Sequence, residues 1–367
     1  MTISCLAAVL AAGALSGAAT VESPRVIGHR GTRGEYQENC AESMALALAK
    51  GVVGFETDIR LTKDGHLVIM HDERIERVSD GKGTVEEMTL EELKKFRLTD
   101  AKEPIPTLDE MLAPFKGRSD IYVELELKSS ASTKAARFDE YIDKVYEAAK
   151  RLLEPGTYQF ASFDEDYLKK MHERHPDAEL GHISKDPLSA KQMARAKELG
   201  CTWVASKLYG TKKDLVDRAH AQGLKVLMWM VQNMSEWKKA RALGADVVTC
   251  DYPILLKQAI LGQRKKAVAL DLAATLGADP SKYSAENAKA LAALKKKYRC
   301  VTVGPETPDR AAVLKWAKDN GLSPADVVYV GGRCDDGLER PAYARTLDRI
   351  VVTDAKKFAK AVSVLLK

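Results

Sequence analysis

Ser235-Glu-Trp-Lys-Lys-Ala-Arg-Ala-Leu-Gly-Ala-Asp-Val-Val-Thr-Cys250 contains the unit from which most of this chain is built. The segment up to Leu243 is amphipathic, Gly244 stops it as a helix C-cap does, and the apolar run that follows has strand character. Moving outward, the same succession recurs. Ser189–Leu199 precedes Gly200 and the strand candidate 202–206, and Lys212–Ala221 precedes Gly223 and the candidate 225–231. Further strand candidates lie at 25–30, 54–61, 120–128, 158–163, 179–184 and 245–250. Amphipathic segments occupy Glu42–Lys50 (ending at Gly51), Phe138–Leu153 and Asp164–Arg174. Eight strand–helix repeats in about 240 residues favour an α/β fold closed as a TIM (β/α)8 barrel over an open sheet, with reactive groups at the C-terminal strand ends.

One stretch breaks the succession. Ile59–Thr62 and Leu67–Met70 flank Lys63-Asp-Gly-His66, and Asp64-Gly65 is a strong two-residue hairpin signal. Counting back from that turn pairs Lys63 with His66, Leu61 with Val68 and Asp58 with His71. The hairpin is thus expected to return His71 to the acidic end of the second strand.

At 367 residues and 45% hydrophobic, the chain is large enough for more than one domain. Residues 24–262 hold the barrel pattern, and Gln263-Arg-Lys-Lys266 reads as a linker. Residues 267–367 read as a smaller α/β, Rossmann-like domain with strands near 267–272, 299–303, 327–331 and 349–353. Net charge is +5, from 57 basic and 52 acidic residues, without an arginine-rich tract or a basic-aromatic stripe, so nothing supports nucleic-acid binding. Cys5 to Ala19 is a run of small and apolar residues ending in Ser16-Gly-Ala-Ala-Thr20. This resembles a secretory signal peptide over residues 1–20 and leads to the expectation of export, periplasmic or extracellular. Met1–Ser4 lacks the usual Lys or Arg, and an ordinary apolar N-terminal segment is the other reading. The run is too short for a membrane span, so no stable membrane insertion is expected. Without the leader, Cys40, Cys201, Cys250, Cys300 and Cys334 remain, an odd number lacking metal spacing. Buried free thiols are expected, with a Cys300–Cys334 pair as the alternative.

The strand ends carry the chemistry. Glu56 and Asp58, two apart, leave one face of their strand, and Glu124, Glu126 and Lys128 repeat the pattern. Inward carboxylates repel one another and desolvate expensively unless a cation binds, and oxygen ligands without clustered Cys or His point to Mg²⁺ or Ca²⁺. The apolar neighbours Ile121, Val123, Leu125 and Leu127 fit acids facing inward or outward equally well. His29 and His71 are candidates for general acid and base. Arg30 offers forked donors suited to phosphate oxygens. His172, His175, His182 and His220 lie in polar segments, where solvent-facing rings are expected, and have no assigned role.

Taken together, Val26-Ile-Gly-His-Arg-Gly31, Glu38-Asn39, Gly54-Phe-Glu-Thr-Asp58, Leu61-Thr-Lys-Asp-Gly65, His71-Asp72 and Glu126-Leu-Lys128 resemble the glycerophosphodiester phosphodiesterase family. Thr89-Leu-Glu-Glu92, Ile105-Pro-Thr-Leu108, Ser162-Phe-Asp164, Trp229 with Asn233, and Asp251-Tyr-Pro253 extend the resemblance in order over about residues 25–258. It implies a metal-dependent hydrolase of small-molecule phosphodiesters, with Glu56, Asp58 and Glu126 as metal ligands and His29 and His71 as the acid–base pair. Arg30 is implied as a phosphate contact, Glu38 and Asn39 as site lining, Lys128 as support for phosphate or a carboxylate, and Trp229 as substrate wall. In the implied mechanism a glycerol hydroxyl attacks phosphorus while one His takes its proton and the other protonates the departing alcohol. Water then opens the cyclic phosphate. Lysophospholipase D or wall-polymer phosphodiesterase activity is an alternative. A non-catalytic binding protein is another, but it predicts loss of an acid–base His or a metal carboxylate, and none is missing.

Gln37 and Cys40 depart from the family's usual Pro and Thr, and Cys250 from its Thr or Ser. These departures bear on loop packing and capping, not on a reacting group. Further on, Ala267–Leu276 and Val328–Asp336 faintly resemble motifs of haloacid dehalogenase-like phosphatases. Asp271 matches the nucleophile, but Ala273 and Gly332 replace needed acids, so an eroded, non-catalytic domain is expected, with an unrelated small Rossmann-like module as the alternative.

Overall fold

Among the described residues nine strands precede residue 262: β1 (Arg25–Gly28), β2 (Gly54–Leu61), β3 (Leu67–Ile69), β4 (Tyr122–Leu127), β5 (Tyr158–Ser162), β6 (Leu180–Pro187), β7 (Trp203–Lys207), β8 (Lys225–Trp229) and β9 (Val247–Cys250). The computed structural model describes residues 23–262, 267–270, 284–297, 299–304, 327–329 and 349–351. The leader read at residues 1–20, the linker at 263–266, and Asp271, Ala273, Gly332 and Cys334 lie outside the described residues.

The sheet runs β1-β9-β8-β7-β6-β5-β4-β2, every neighbouring pair parallel, and β1 also pairs with β2, which closes it into an eight-stranded barrel. Period-two alternation divides each strand between two environments. One set of side chains, among them Val26, Phe55, Val123, Leu125, Phe160, Val204, Val226 and Val248, packs outward under the helices. The other set fills the barrel interior, where Ile27, Tyr122, Ala161, Trp203, Ala205, Leu227 and Val247 form a separate cluster. Glu56 and Asp58 alternate with Phe55 and Ile59, and Glu124 and Glu126 with Val123, Leu125 and Leu127. The acids therefore belong to the inner set.

The helices carry the expected faces. Phe138–Leu152 buries Tyr141, Ile142, Val145, Tyr146, Ala148, Ala149 and Leu152 along one stripe, with Asp139 and Glu140 in its first turn and Lys150 and Arg151 in its last. Gly51, Gly200, Gly223 and Gly244 all have positive φ, as the stop signals predicted. Cys40 caps the helix Ala41–Ala49 by accepting from Ser43 N at 3.4 Å.

The hairpin differs from its sequence reading by one residue. Ile59, Arg60 and Leu61 face Ile69, Val68 and Leu67, and Met70 N donates to Asp58 O at 3.0 Å. Thr62 N bonds to His66 O and Gly65 N to Thr62 O, so Lys63, Asp64 and Gly65 all lie in the loop, with Gly65 left-handed at φ 86°. Such a three-residue loop with glycine last shifts the register that a two-residue turn would set. Asp58 therefore opposes Met70, and His71 leaves the ladder.

A second feature was not anticipated. Residues between Ile69 and the helix Leu108–Leu112 form an excursion with a satellite core of Val68, Met70, Ile75, Val78, Val85, Leu93, Leu98 and Ile105. Its two short helical starts at Thr89 and Thr107 each carry a capping box.

Strands at Ala267–Leu270, Arg299–Gly304, Val327–Tyr329 and Arg349–Val351 form a separate parallel sheet, the first lying between the second and the fourth. No helix among the described residues is long and apolar enough to cross a membrane.

Candidate active site

The turn that follows β1 brings the first reactive groups together. Gly31 N bonds Gly28 O, Arg30 takes a left-handed φ of 49°, and its backbone N–H points at Glu56 Oε2 (2.8 Å). Gly28 has no room for a side chain, because an added Cβ would meet Gly31 O at 1.6 Å. The turn leaves His29 beside Glu56, with Nε2 3.9 Å from Oε2, while Nδ1 lies 2.6 Å from Asp251 Oδ1. Asp251 follows β9, which pairs with β1, so barrel closure creates this contact. Gln232 fixes Asp251 in turn, donating from Nε2 to Oδ2 (2.7 Å) and accepting from the Asp251 backbone N–H (2.9 Å).

Glu56, Asp58 and Glu126 each offer an oxygen, and these atoms lie within 4.8 Å of one another. The parallel pairing of β2 with β4 sets this arrangement by placing Glu56 beside Glu124 and Asp58 beside Glu126. Lys128 Nζ reaches Glu126 Oε1 at 2.7 Å and Asp58 Oδ1 at 3.4 Å. Asn39 donates to Asp58 Oδ2 at 2.8 Å and accepts from Thr57 Oγ1 at 3.0 Å. Among the described residues Glu56 Oε1 and Asp58 Oδ1 are buried without a hydrogen-bond partner, the Lys128 ammonium at 3.4 Å being an ion-pair contact of the latter.

The electrostatics follow from this crowding. Burial, then the charges of Asp58 and Glu126, push the Glu56 carboxyl well above its ordinary range. Burial with Glu126 and Asp58 pushes Glu124 up to about 8. Burial also opposes the charge of Asp58, but Lys128, His71 and Arg30 outweigh it and hold Asp58 below the usual carboxylate range. Burial lowers His29 despite the pull of Asp251, which favours the neutral ring. Lys128 and Arg30, whose Nε lies 3.4 Å from Asp58 Oδ2, still leave the four inward carboxylates short of positive charge. The orphaned oxygens and the all-oxygen donor set fit a hard divalent cation.

Glu38 turns out to hold the cationic side of the site together. It accepts from Arg30 at 3.1 Å and from both terminal nitrogens of Arg77 at 2.7 and 3.0 Å, and Arg33 lies 3.5 Å away. Arg77 also bonds Asp72, whose other oxygen lies 2.5 Å from His71 Nδ1. Arg60 clasps the His71 carbonyl through two nitrogens, at 3.1 and 2.8 Å. This clasp carries His71 into the site although the hairpin register differs from the expected one.

His29, Arg30, Glu56, His71, Glu126, Lys128 and Trp229 all line one cavity of about 540 Å³. Trp229 ends β8 as a wall, and its Nε1, like Thr249 Oγ1 nearby, has no hydrogen-bond partner among the described residues. Asn39 is set behind Asp58 and does not line this cavity, and Glu38 sits behind Arg30. Sequence reading gave Asp251, Gln232, Arg77 and Arg60 no role. Only Asp251 had a signal, the Asp-Tyr-Pro that follows the last barrel strand. His182 is a correction. It is 8% exposed on the outer face of β6, where alternation turns it under the helices, 3.6 Å from Glu165. Cys40, Cys201 and Cys250 are buried free thiols, as expected.

The Glycerophosphoryl diester phosphodiesterase family model matches residues 29–255. The chain belongs to this family. A glycerophosphodiester phosphodiesterase of Bacillus altitudinis is 29% identical over 242 residues, which cover 62% of this chain and 95% of the relative. One from Caldanaerobacter subterraneus is likewise 29% identical over 234 residues, covering 62% and 94%. Among solved structures, an Oleispira antarctica phosphodiesterase in complex with the product sn-glycerol-3-phosphate is 29% identical, with a TM-score of 0.58. That match covers 65% of this chain and 96% of the other. As a glycerophosphodiester phosphodiesterase, the chain is a phosphoric diester hydrolase of small-molecule substrates.

Proposed function

We propose that the barrel cleaves glycerophosphodiesters to glycerol phosphate and an alcohol by acid–base catalysis between His29 and His71. Glu56, Asp58 and Glu126 would hold a divalent Mg²⁺ or Ca²⁺. The observation that carries this reading is the convergence of these carboxylate oxygens within 4.8 Å, with His29 Nε2 3.9 Å from Glu56 and both imidazoles in one cavity. When bound, the cation supplies Lewis-acid neutralisation of phosphoryl oxygen charge.

The chain's own groups divide the remaining work. Asp251 orients His29 through Nδ1, which leaves Nε2 to take a proton from the glycerol hydroxyl next to the phosphodiester. That oxygen attacks phosphorus, and the ester bond to the head group breaks. His71, oriented by Asp72 through Nδ1, protonates the departing alcohol from Nε2. Water then opens the five-membered cyclic phosphate with the two proton transfers reversed. Arg30 and Lys128 face the phosphoryl oxygens, where fixed positive charge stabilises the developing negative charge.

The test follows release of glycerol phosphate from glycerophosphoglycerol. His29→Ala and His71→Ala should each lower kcat by about 10²–10⁴-fold while circular dichroism and Tm stay near wild type. Near-normal turnover in either variant removes that histidine from the mechanism. For the leader, support rests on the apolar run at residues 5–19, and N-terminal sequencing of protein recovered outside the cell tests export.

A further inference from the structure

Opposite the acids, the same cavity is walled by the ends of β5 to β8, and its aromatic side chains carry lysines. Phe163 and Trp229 meet at right angles, ring centroids 5.9 Å apart, and Tyr209 stands at the mouth. An aromatic corner of this kind would ordinarily suit a quaternary ammonium such as choline, drawn to the ring faces. Here those faces are taken. Lys185 Nζ stands 5.7 Å from the Phe163 centroid, Lys207 Nζ 5.9 Å from that of Trp229, and Lys239 Nζ 4.4 Å from that of Tyr209. None of the three lysines forms an ion pair among the described residues. Glu236, the carboxylate in this wall, is engaged by the Tyr209 hydroxyl at 2.8 Å and the Gln232 N–H at 2.7 Å.

We infer that this wall selects glycerophosphodiesters with an anionic head group, such as a phosphorylated polyol, and disfavours choline. The inference rests on the hydrolytic reading of the acid cluster. With the scissile phosphate held between Arg30 and Lys128, the head group extends toward Lys185 and Lys207 on β6 and β7, neither of which is ion-paired among the described residues. An anion gains attraction from both ammonium groups. A choline meets like charge at each ring that could have held it.

The full chain, supplied with Mg²⁺ or Ca²⁺, is assayed on three diesters: glycerophosphoinositol 4-phosphate, glycerophosphoglycerol and glycerophosphocholine. At low ionic strength kcat/KM should fall in that order, with the first exceeding the last by about tenfold or more, and the gap should narrow as salt is added. K185M/K207M should lower the ratio of the first to the last by about tenfold. Equal specificity, preference for choline, or an unchanged ratio in the variant overturns the inference. If no diester is cleaved, the hydrolytic reading fails by itself. The wall is then judged by calorimetric titration with inositol 4-phosphate, where K185M/K207M should weaken binding about tenfold and unaltered binding refutes it.

Discussion

His29 Nδ1 and Asp251 Oδ1 meet at 2.6 Å although 222 positions separate them in the chain. The contact exists because β9 closes the barrel against β1 in parallel, with Gly28 level with Cys250. The contact leaves His29 Nε2, rather than Nδ1, available on the cavity side, and Gln232 holds Asp251 from behind.

Asp251→Asn should therefore preserve the fold and impair the chemistry. An amide in place of the carboxylate can leave His29 in the wrong tautomer. The expected loss in kcat is about 10²–10⁴-fold with little change in Tm. Steady-state kinetics beside a thermal melt decide it: a kcat within twofold of wild type would falsify the orienting role.

Cation binding should show in stability as well as rate. Mg²⁺ or Ca²⁺ at about a hundred times Kd should add about 2.7 kcal/mol to unfolding, and a chelator should remove it. Glu56→Gln should lose most of that gain. In the metal-free state the same variant should be at least as stable as wild type, because it removes a carboxylate that burial and its acidic neighbours already oppose. A Tm unaffected by divalent cations would contradict the assignment.

Glu38 gives a prediction with a definite sign in pH. Burial opposes its charge, but Arg30, Arg77 and Arg33 outweigh burial and hold the folded carboxyl far below its ordinary value of 4.5. A depressed folded value stabilises the fold above the unfolded value, and that contribution is lost as pH falls toward the folded one. Glu38→Gln leaves buried guanidinium groups uncompensated and should cost about 3–5 kcal/mol at pH 7. Denaturant unfolding from pH 7 to 3 should show this difference constant down to about 5.5 and shrinking below it. A difference that grows on acidification would contradict the sign.

Gly28→Ala tests the turn that presents His29 and Arg30. Its added Cβ would lie 1.6 Å from a backbone oxygen, which no rotamer relieves. Stability should drop by about 2–4 kcal/mol, and kcat should fall beyond what the loss of folded protein explains. Active-site titration against the folded fraction separates the two effects.

Much of the site was legible because its signals are local. That Glu56 shares a face with Asp58, and Glu124 with Glu126, follows from period-two alternation, while barrel closure decided that this face is the inner one; the strand bounds of β2 came out at 54–61 as predicted. The hairpin register was misread because its outcome hung on one backbone angle, the left-handed Gly65, which turned a two-residue loop into a three-residue one. His182 was misjudged for a related reason. Its neighbours are polar, but its place on the outer face of β6 buries it.

The sequence by itself determined the alternation of strands and helices, the stops at the glycines, and which strand ends carry acids. Each of these depends on residues a few positions apart. Tertiary structure decided what those groups touch: Asp251 on His29, Arg77 on Glu38 and Asp72, Arg60 on the His71 carbonyl, and lysines over the aromatic wall. Such contacts arise only once the strands are aligned side by side, the barrel closes, and the excursion after β3 brings Arg77 to Glu38. Sequence spacing carries no information about distances across a closed sheet.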